Sequence, residues 1–363
     1  MTQAPDFLHW LDYAPYGLDA QRKRTALLEA MRQLTQWHAA QCVEYQRILQ
    51  TLQVDPSRLR HLEDVPYLPV RMFKEFELLS VPRQEVFKTM TSSGTTGQQV
   101  SKIFLDKATA SLQTKVLARL MTDVLGKKRV PMLVIDSPSV LKDRLAFSAR
   151  GAGISGFSMF GLDVTYALDD SMRLDTSAVE SFVARHPEGP IFLFGFTFMI
   201  WQYLVQPLLK DGCRLPLDRA MLLHGGGWKK LQDQAVDNHR FKQALLEVAG
   251  LRRVVDYYGM VEQTGSLYME CEQGHLHAPV FSDVIVRRVE DFQPASQGEE
   301  GVIEVLSMLP ASYSGHALLT EDRGTILGED NCPCGRLGKY FKVHGRLAQA
   351  EVRGCSDTHE APR

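Results

Sequence analysis

Between Asp19 and about Gln53, the residues Leu27, Leu28, Met31, Leu34, Trp37, His38, Cys42, Tyr45 and Leu49 recur at helical spacing, uninterrupted by Gly or Pro. That period predicts one or two amphipathic helices. In VPYLPVRMFKEF, Pro66 and Pro69 hold the chain extended ahead of a short helix through Phe73 and Phe76. Residues 89–104, TMTSSGTTGQQVSKIF, are polar and glycine-containing and read as a loop between elements, with a helix from Ala108 to Met121 after it.

From Val130 the pattern changes: short apolar runs (VPMLVID, PIFLFGFTFMIWQYL, RAMLLHGGGWKK) alternate with helical stretches, including one through Ser148 and one from Gln232 to Ala249. Such alternation predicts α/β layering with largely buried strands. RVVDYYGMVEQTG reads as a strand running into a polar loop. Beyond Ala278, FSDVIVRRV and GVIEVLSML read as alternating strands joined by the turn-forming PASQGEEG. The expectation is one large α/β domain over residues 1–344, with a β-rich distal part, and a short tail over 345–363.

The 41 basic and 43 acidic residues nearly balance, so no global field draws the chain to nucleic acid or an anionic membrane. No apolar run approaches the roughly 18 residues of a membrane span, and MTQAPDFLHW lacks a signal-peptide pattern, which points to a cytoplasmic protein without stable membrane insertion. Cys42, Cys213, Cys271, Cys332, Cys334 and Cys355 are too thinly spread for a disulfide framework.

Three segments carry candidate chemistry. Thr91, Ser92, Ser93, Gly94, Thr95, Thr96 and Gly97 combine hydroxyls with two glycines, a composition whose amides and hydroxyls can wrap phosphate oxygens, though it also suits a plain flexible loop. It is not a Walker A loop, because no GK[ST] follows Gly97. In HGGGWKK, Gly226 and Gly227 would let backbone approach a ligand closely, and Lys229 would neutralise a carboxylate or phosphate or stand on the surface, while Trp228 suits the core equally. Cys271, His275, His277, Cys332 and Cys334, written CEQGHLH and CPCG, can furnish a tetrahedral zinc site or serve as reduced structural residues near a turn.

The Ser/Thr/Gly loop resembles the phosphate loop of the adenylate-forming superfamily, and three further motifs follow in that family's order. YYGMVEQTG resembles its Tyr-Gly-x-x-Glu motif, which implies that Tyr258 packs on adenine beside Gly259 and that Glu262 helps hold Mg²⁺; alone, Tyr258 suits a core position. TED resembles its Thr-Gly-Asp, implying Asp322 as the ribose ligand, and GRLAQAEVRG resembles its hinge, implying Arg346 at the phosphate or ribose. Most members continue into a mobile C-terminal domain with a catalytic lysine. That lysine has no counterpart here, and Ala348 and Gln349 stand near the hinge aspartate's position.

VPYLPVRMFKE, TSSGTTGQQVSKIFLD, FGFTFMIWQ, HGGGWKK, YYGMVEQTG and EVRGCS together resemble the LuxE acyl-protein synthetases over nearly the whole chain. The resemblance implies ATP-dependent activation of a carboxylic acid, a fatty acid in that family, capture of the acyl group by Cys355, and transfer to a cysteine of a partner such as an acyl reductase. Arg353 and Gly354 beside Cys355 favour a reactive thiolate. The alternative is an acyl-CoA ligase using free CoA, with Cys355 incidental. Similar Cys and His pieces in the phenylacetate-CoA ligases imply Cys271, His277, Cys332 and Cys334 as structural zinc ligands.

Overall fold

The computed structural model of the chain describes residues 4–92, 100–141 and 149–347. They divide between two compact units. The first holds residues 4–92, 100–123 and 259–347, and the second holds 124–141 and 149–258.

The first unit opens with α1 (Ala20–Gln41) and α2 (Val43–Thr51). The helix starts where the sequence signals it, because the Asp19 carboxylate accepts from the Arg22 backbone N–H and so satisfies an otherwise orphaned donor. Next come the two-residue strand β1 (Leu68–Pro69) and the single turn α3 (Met72–Glu75). The segment read as a loop is flanked by a hairpin, β2 (Lys88–Thr91) and β3 (Lys102–Leu105), before α4 (Lys107–Leu125). The consecutive Ile103, Phe104 and Leu105 of β3 are all buried, a signal masked in the sequence by the polar tract before it.

The second unit alternates strand and helix as expected: β4 (Val130–Val134), α5 (Ala149–Ser158), β5 (Gly161–Tyr166), α6 (Thr176–Arg185), β6 (Ile191–Phe196), α7 (Thr197–Ile200), α8 (Gln206–Asp211), β7 (Ala220–Gly225), α9 (Asn238–Ala249) and β8 (Arg253–Tyr258). The five strands run parallel in the order β5-β4-β6-β7-β8. β6 and β7 are buried at every position, as sheet strands covered on both faces must be. The helix expected from Gln232 begins later, at Asn238, because the Asp237 side chain caps it through the Arg240 N–H. Trp228 sets its edge against Trp201 (ring centroids 5.5 Å apart) and Phe241 (6.1 Å), so it packs on this unit's core.

The chain then returns to the first unit with β9 (Tyr268–Glu270), β10 (Leu276–His277), β11 (Ser282–Arg287), β12 (Glu300–Ser307), β13 (Ala317–Glu329) and β14 (Lys339–Arg346). β11 through β14 pair antiparallel in sequence order, β14 pairs with β10 and β10 with β9. The polar positions of β11 and β12 do not face water as simple alternation suggests. Asp283 is buried between Lys23 of α1 (3.5 Å) and Lys339 (3.1 Å), and Arg287 pairs with the fully buried Glu304. Buried charges persist only when paired in this way.

A second buried network ties α1 to the same sheet. His38 and His316 stack with ring centroids 4.9 Å apart. His38 Nε2 donates to the Pro310 carbonyl at 3.0 Å, which leaves Nδ1 to accept from the Ser80 hydroxyl at 2.7 Å. Burial pushes His38 down to about 3, so the ring is neutral near pH 7. Among the described residues no helix is long and apolar enough to cross a membrane.

Candidate functional site

In the first unit the hairpin carries Thr91 at the end of β2, opposite Lys102, with Ser92 next. The Ser101 N–H donates to Ser92 Oγ (2.9 Å) and the Ser92 N–H to the Ser101 carbonyl (3.1 Å), closing the base of the Ser/Thr/Gly segment. Ser93, Gly94, Thr95, Thr96 and Gly97 lie outside the described residues, as does Cys355.

Glu262 sits on a one-turn 3-10 helix (Val261–Gln263) that is pinned by its neighbour: Gln263 Nε2 donates to the Val305 and Gly315 carbonyls at 3.1 and 2.8 Å. Burial pushes the Glu262 carboxyl above its ordinary range. A hydrogen bond from Ser101 and the positive charges of Lys74 and Arg346 pull the other way. Neither Lys74 on α3 nor Ser101 is marked by any spacing in the sequence.

Asp322 and Arg346 are cross-strand partners on β13 and β14, with Nε and Oδ1 3.8 Å apart. Thr320 holds the aspartate's backbone: its hydroxyl donates to the Ile303 carbonyl (2.8 Å) and accepts the Asp322 N–H (3.1 Å). Three of the motif residues taken from widely separated segments, Glu262, Asp322 and Arg346, therefore share one electrostatic neighbourhood with Lys74. It has two carboxylates and two cations, an arrangement able to bind a polyanion through its cations and a hard cation through its oxygens.

In the second unit the candidate residues fall at the carboxyl ends of adjacent parallel strands, where α/β sheets bind ligands. Gly225 ends β7 opposite Tyr257 of β8, and Tyr258 ends β8 one residue on, followed by Gly259. The glycines differ. A Cβ on Gly225 would lie 2.6 Å from Cε1 of Tyr257, and Gly226 adopts φ +80°, whereas a Cβ on Gly227 would meet nothing within 4 Å. Packing thus explains Gly225 and Gly226 but not Gly227. Lys229 begins a 3-10 turn (Lys229–Gln234), and its side chain lies outside what is described.

At the carboxyl end of β4, Asp136 and Arg150 form a buried ion pair of 3.0 Å that no motif announces. Burial raises the Asp136 carboxyl to about 6 against the pull of Arg150. His224, buried against Phe241, has its Nδ1 3.0 Å from the Thr197 hydroxyl and is pushed down to about 3 by burial.

Back in the first unit, Cys271, His277, Cys332 and Cys334 come together with their donor atoms all within 4.8 Å of one another. His275 stands beside them, its Nδ1 3.4 Å from Cys332 Sγ.

The family model described as "Acyl-protein synthetase, LuxE" matches residues 10–361. The chain is 23% identical over 317 residues to the long-chain-fatty-acid–luciferin-component ligase of Aliivibrio fischeri, covering 83% of this chain and 79% of that protein. It is 23% identical over 370 residues to the ligase of the same name from Vibrio harveyi, covering 98% and 92%. Among solved structures, an open conformation of 2-hydroxyisobutyryl-CoA ligase in complex with 2-HIB-AMP and CoA superposes with a TM-score of 0.70 at 16% identity, over 95% of this chain and 83% of that one. The chain therefore shares the α/β fold of the adenylate-forming ligases.

Proposed function

Because the chain belongs to the LuxE acyl-protein synthetase family and is an adenylate-forming acyl ligase of that type, we propose that it activates a long-chain fatty acid with ATP and passes the acyl group to Cys355. From there the group moves to a cysteine thiol of a partner protein. The observation that supports this most is the clustering of Glu262, Asp322, Arg346 and Lys74 in one unit. The relatives' name supplies the substrate class.

In the first step a carboxylate oxygen attacks the α-phosphorus of ATP, an acyl–phosphate bond forms, and pyrophosphate leaves with the electron pair of the broken P–O bond. Positioning and charge stabilisation carry such a step. Thr91, Ser92 and the hydroxyl-rich residues through Gly97 wrap the phosphates, and Arg346 and Lys74 offset their charge. Tyr258 packs on adenine, with Gly226, Gly227 and Gly259 leaving room for it, Lys229 faces a carboxylate or phosphate, and Asp322 accepts the ribose hydroxyls. The buried Glu262 carboxylate, a hard oxygen donor next to two cations, suits Mg²⁺, which when bound neutralises triphosphate charge. In the second step the Cys355 thiolate attacks the acyl carbonyl carbon, a C–S bond forms, and AMP departs with the broken C–O bond. The adenylating part then spans residues 1–344, and the tail that carries the acceptor spans 345–363.

The test is fatty-acid-dependent exchange of labelled pyrophosphate into ATP. Exchange that needs the acid supports adenylation, and exchange absent over a panel of carboxylic acids overturns it.

A further inference from the structure

We propose that Cys271, His277, Cys332 and Cys334 bind one structural Zn²⁺, with His277 Nε2 rather than His275 as the nitrogen ligand. Two turns bring these residues together. Cys271 follows β9, and the Gly274 N–H returns to its carbonyl at 2.9 Å with Gly274 at φ +76°, folding the chain back so that His277 of β10 reaches the same place. In the loop between β13 and β14, the Gly335 N–H closes on the Cys332 carbonyl at 3.0 Å with Gly335 at φ +80°, which turns both thiols of Cys-x-Cys toward that place.

Two of the distances match the edges of a tetrahedron. Zn–S and Zn–N bonds of about 2.3 and 2.0–2.1 Å imply ligand edges of about 3.8 Å between sulfurs and about 3.5 Å between sulfur and nitrogen. Cys271 and Cys332 Sγ are 3.9 Å apart, and Cys334 Sγ and His277 Nε2 are 3.4 Å apart. Three thiolates and a neutral imidazole leave the occupied site one negative charge, and each thiol gives its proton to solvent on binding. Arg336 stands beside that charge. Its backbone N–H donates to Cys334 Sγ (3.4 Å), and its guanidinium, which also pairs with Asp123 (3.4 Å), lies over Tyr16 (4.3 Å) by the Met269 and Glu270 carbonyls.

With four protein ligands no position stays open for substrate, so the ion is a staple. It joins the β9–β10 turn to the loop that starts β14, whose far end carries Arg346 opposite Asp322. His275, stacked on Tyr340 at 4.9 Å, is left outside the mutual set.

Zinc binding at these four residues can be measured without any enzymatic activity. The full chain purified under reducing conditions from zinc-supplemented medium should carry about one zinc per chain by elemental mass spectrometry, as one four-ligand site requires. Removing it with a chelator should lower the thermal midpoint, and added ZnCl₂ should restore it. His277→Ala and Cys334→Ser should lose the metal, and His275→Ala should keep it. Wild-type protein without zinc and with a midpoint indifferent to chelator and ZnCl₂ overturns the site, even if the variants fail to fold. Zinc kept by His277→Ala and lost by His275→Ala overturns the ligand assignment.

Discussion

Three consecutive glycines offer a way to separate packing from ligand approach. At Gly225 an added Cβ would lie 2.6 and 2.7 Å from the Tyr257 ring and 2.8 Å from the Tyr257 carbonyl oxygen. The ring can tilt but the strand backbone cannot step aside, so Gly225→Ala should fall at the upper end of the about 1–3 kcal/mol typical of overpacking. Gly226→Ala would force alanine to φ +80° with its methyl 3.3 Å from Phe196 Cδ1, and the left-handed conformation costs about 1–2 kcal/mol. Gly227→Ala meets nothing within 4 Å and has no left-handed φ, so it should stabilise by about 0.4–1 kcal/mol through the unfolded chain. Urea denaturation followed by tryptophan fluorescence should rank the variants in that order. Pyrophosphate exchange should rank them differently: Gly227→Ala, though fully folded, should lose about tenfold or more in kcat/KM for ATP, equivalent to about 1.4 kcal/mol. Unchanged exchange in Gly227→Ala refutes the ligand-approach role, and wild-type stability in Gly225→Ala refutes the packing argument.

Other expectations follow from buried charge. Burial holds His38 at about 3 against an ordinary 6.5. The unfolded chain therefore takes up a proton that the folded chain refuses: the stabilisation is complete above about pH 6.5 and is lost as pH falls toward 3. It amounts to on the order of 5 kcal/mol at full expression, so urea midpoints should drop between pH 7 and 5, and a flat profile rejects a neutral His38 in the folded state. Arg150→Met should cost about 3–5 kcal/mol by stranding Asp136, with the double variant Arg150→Met/Asp136→Leu recovering most of it in the same denaturation assay. Glu262→Gln removes a carboxylate that burial disfavours, so stability should hold or rise while exchange falls by about 10²–10³. An equally active Gln variant rejects its role.

Much of this was legible in the sequence because it depends on local rules. The Asp19 cap and the 3.6-residue period marked α1, and apolar runs of strand length marked β4, β6 and β7. What escaped depends on partners distant in sequence. Lys23 looks like any polar helix position until Asp283, some 260 residues later, buries it. Alternation in β11 and β12 predicted a wet face, but Arg287 and Glu304 neutralise each other and let that face be covered. Lys74 and Ser101 belong to segments that the family resemblance quoted, yet only the fold brings their influence onto Glu262. The Cys271, His277, Cys332 and Cys334 cluster was the opposite case, since the family resemblance named these four and the glycine turns at Gly274 and Gly335 bring them together.

In the proposed reaction, ATP-driven activation ends in a thioester on this chain. Intact mass after incubation with ATP, Mg²⁺ and a long-chain fatty acid tests it most directly. One acyl adduct is expected, released by hydroxylamine and missing from Cys355→Ser, which still exchanges pyrophosphate. An adduct undiminished in Cys355→Ser, or acyl-CoA formed from free CoA by a chain lacking that thiol, contradicts it.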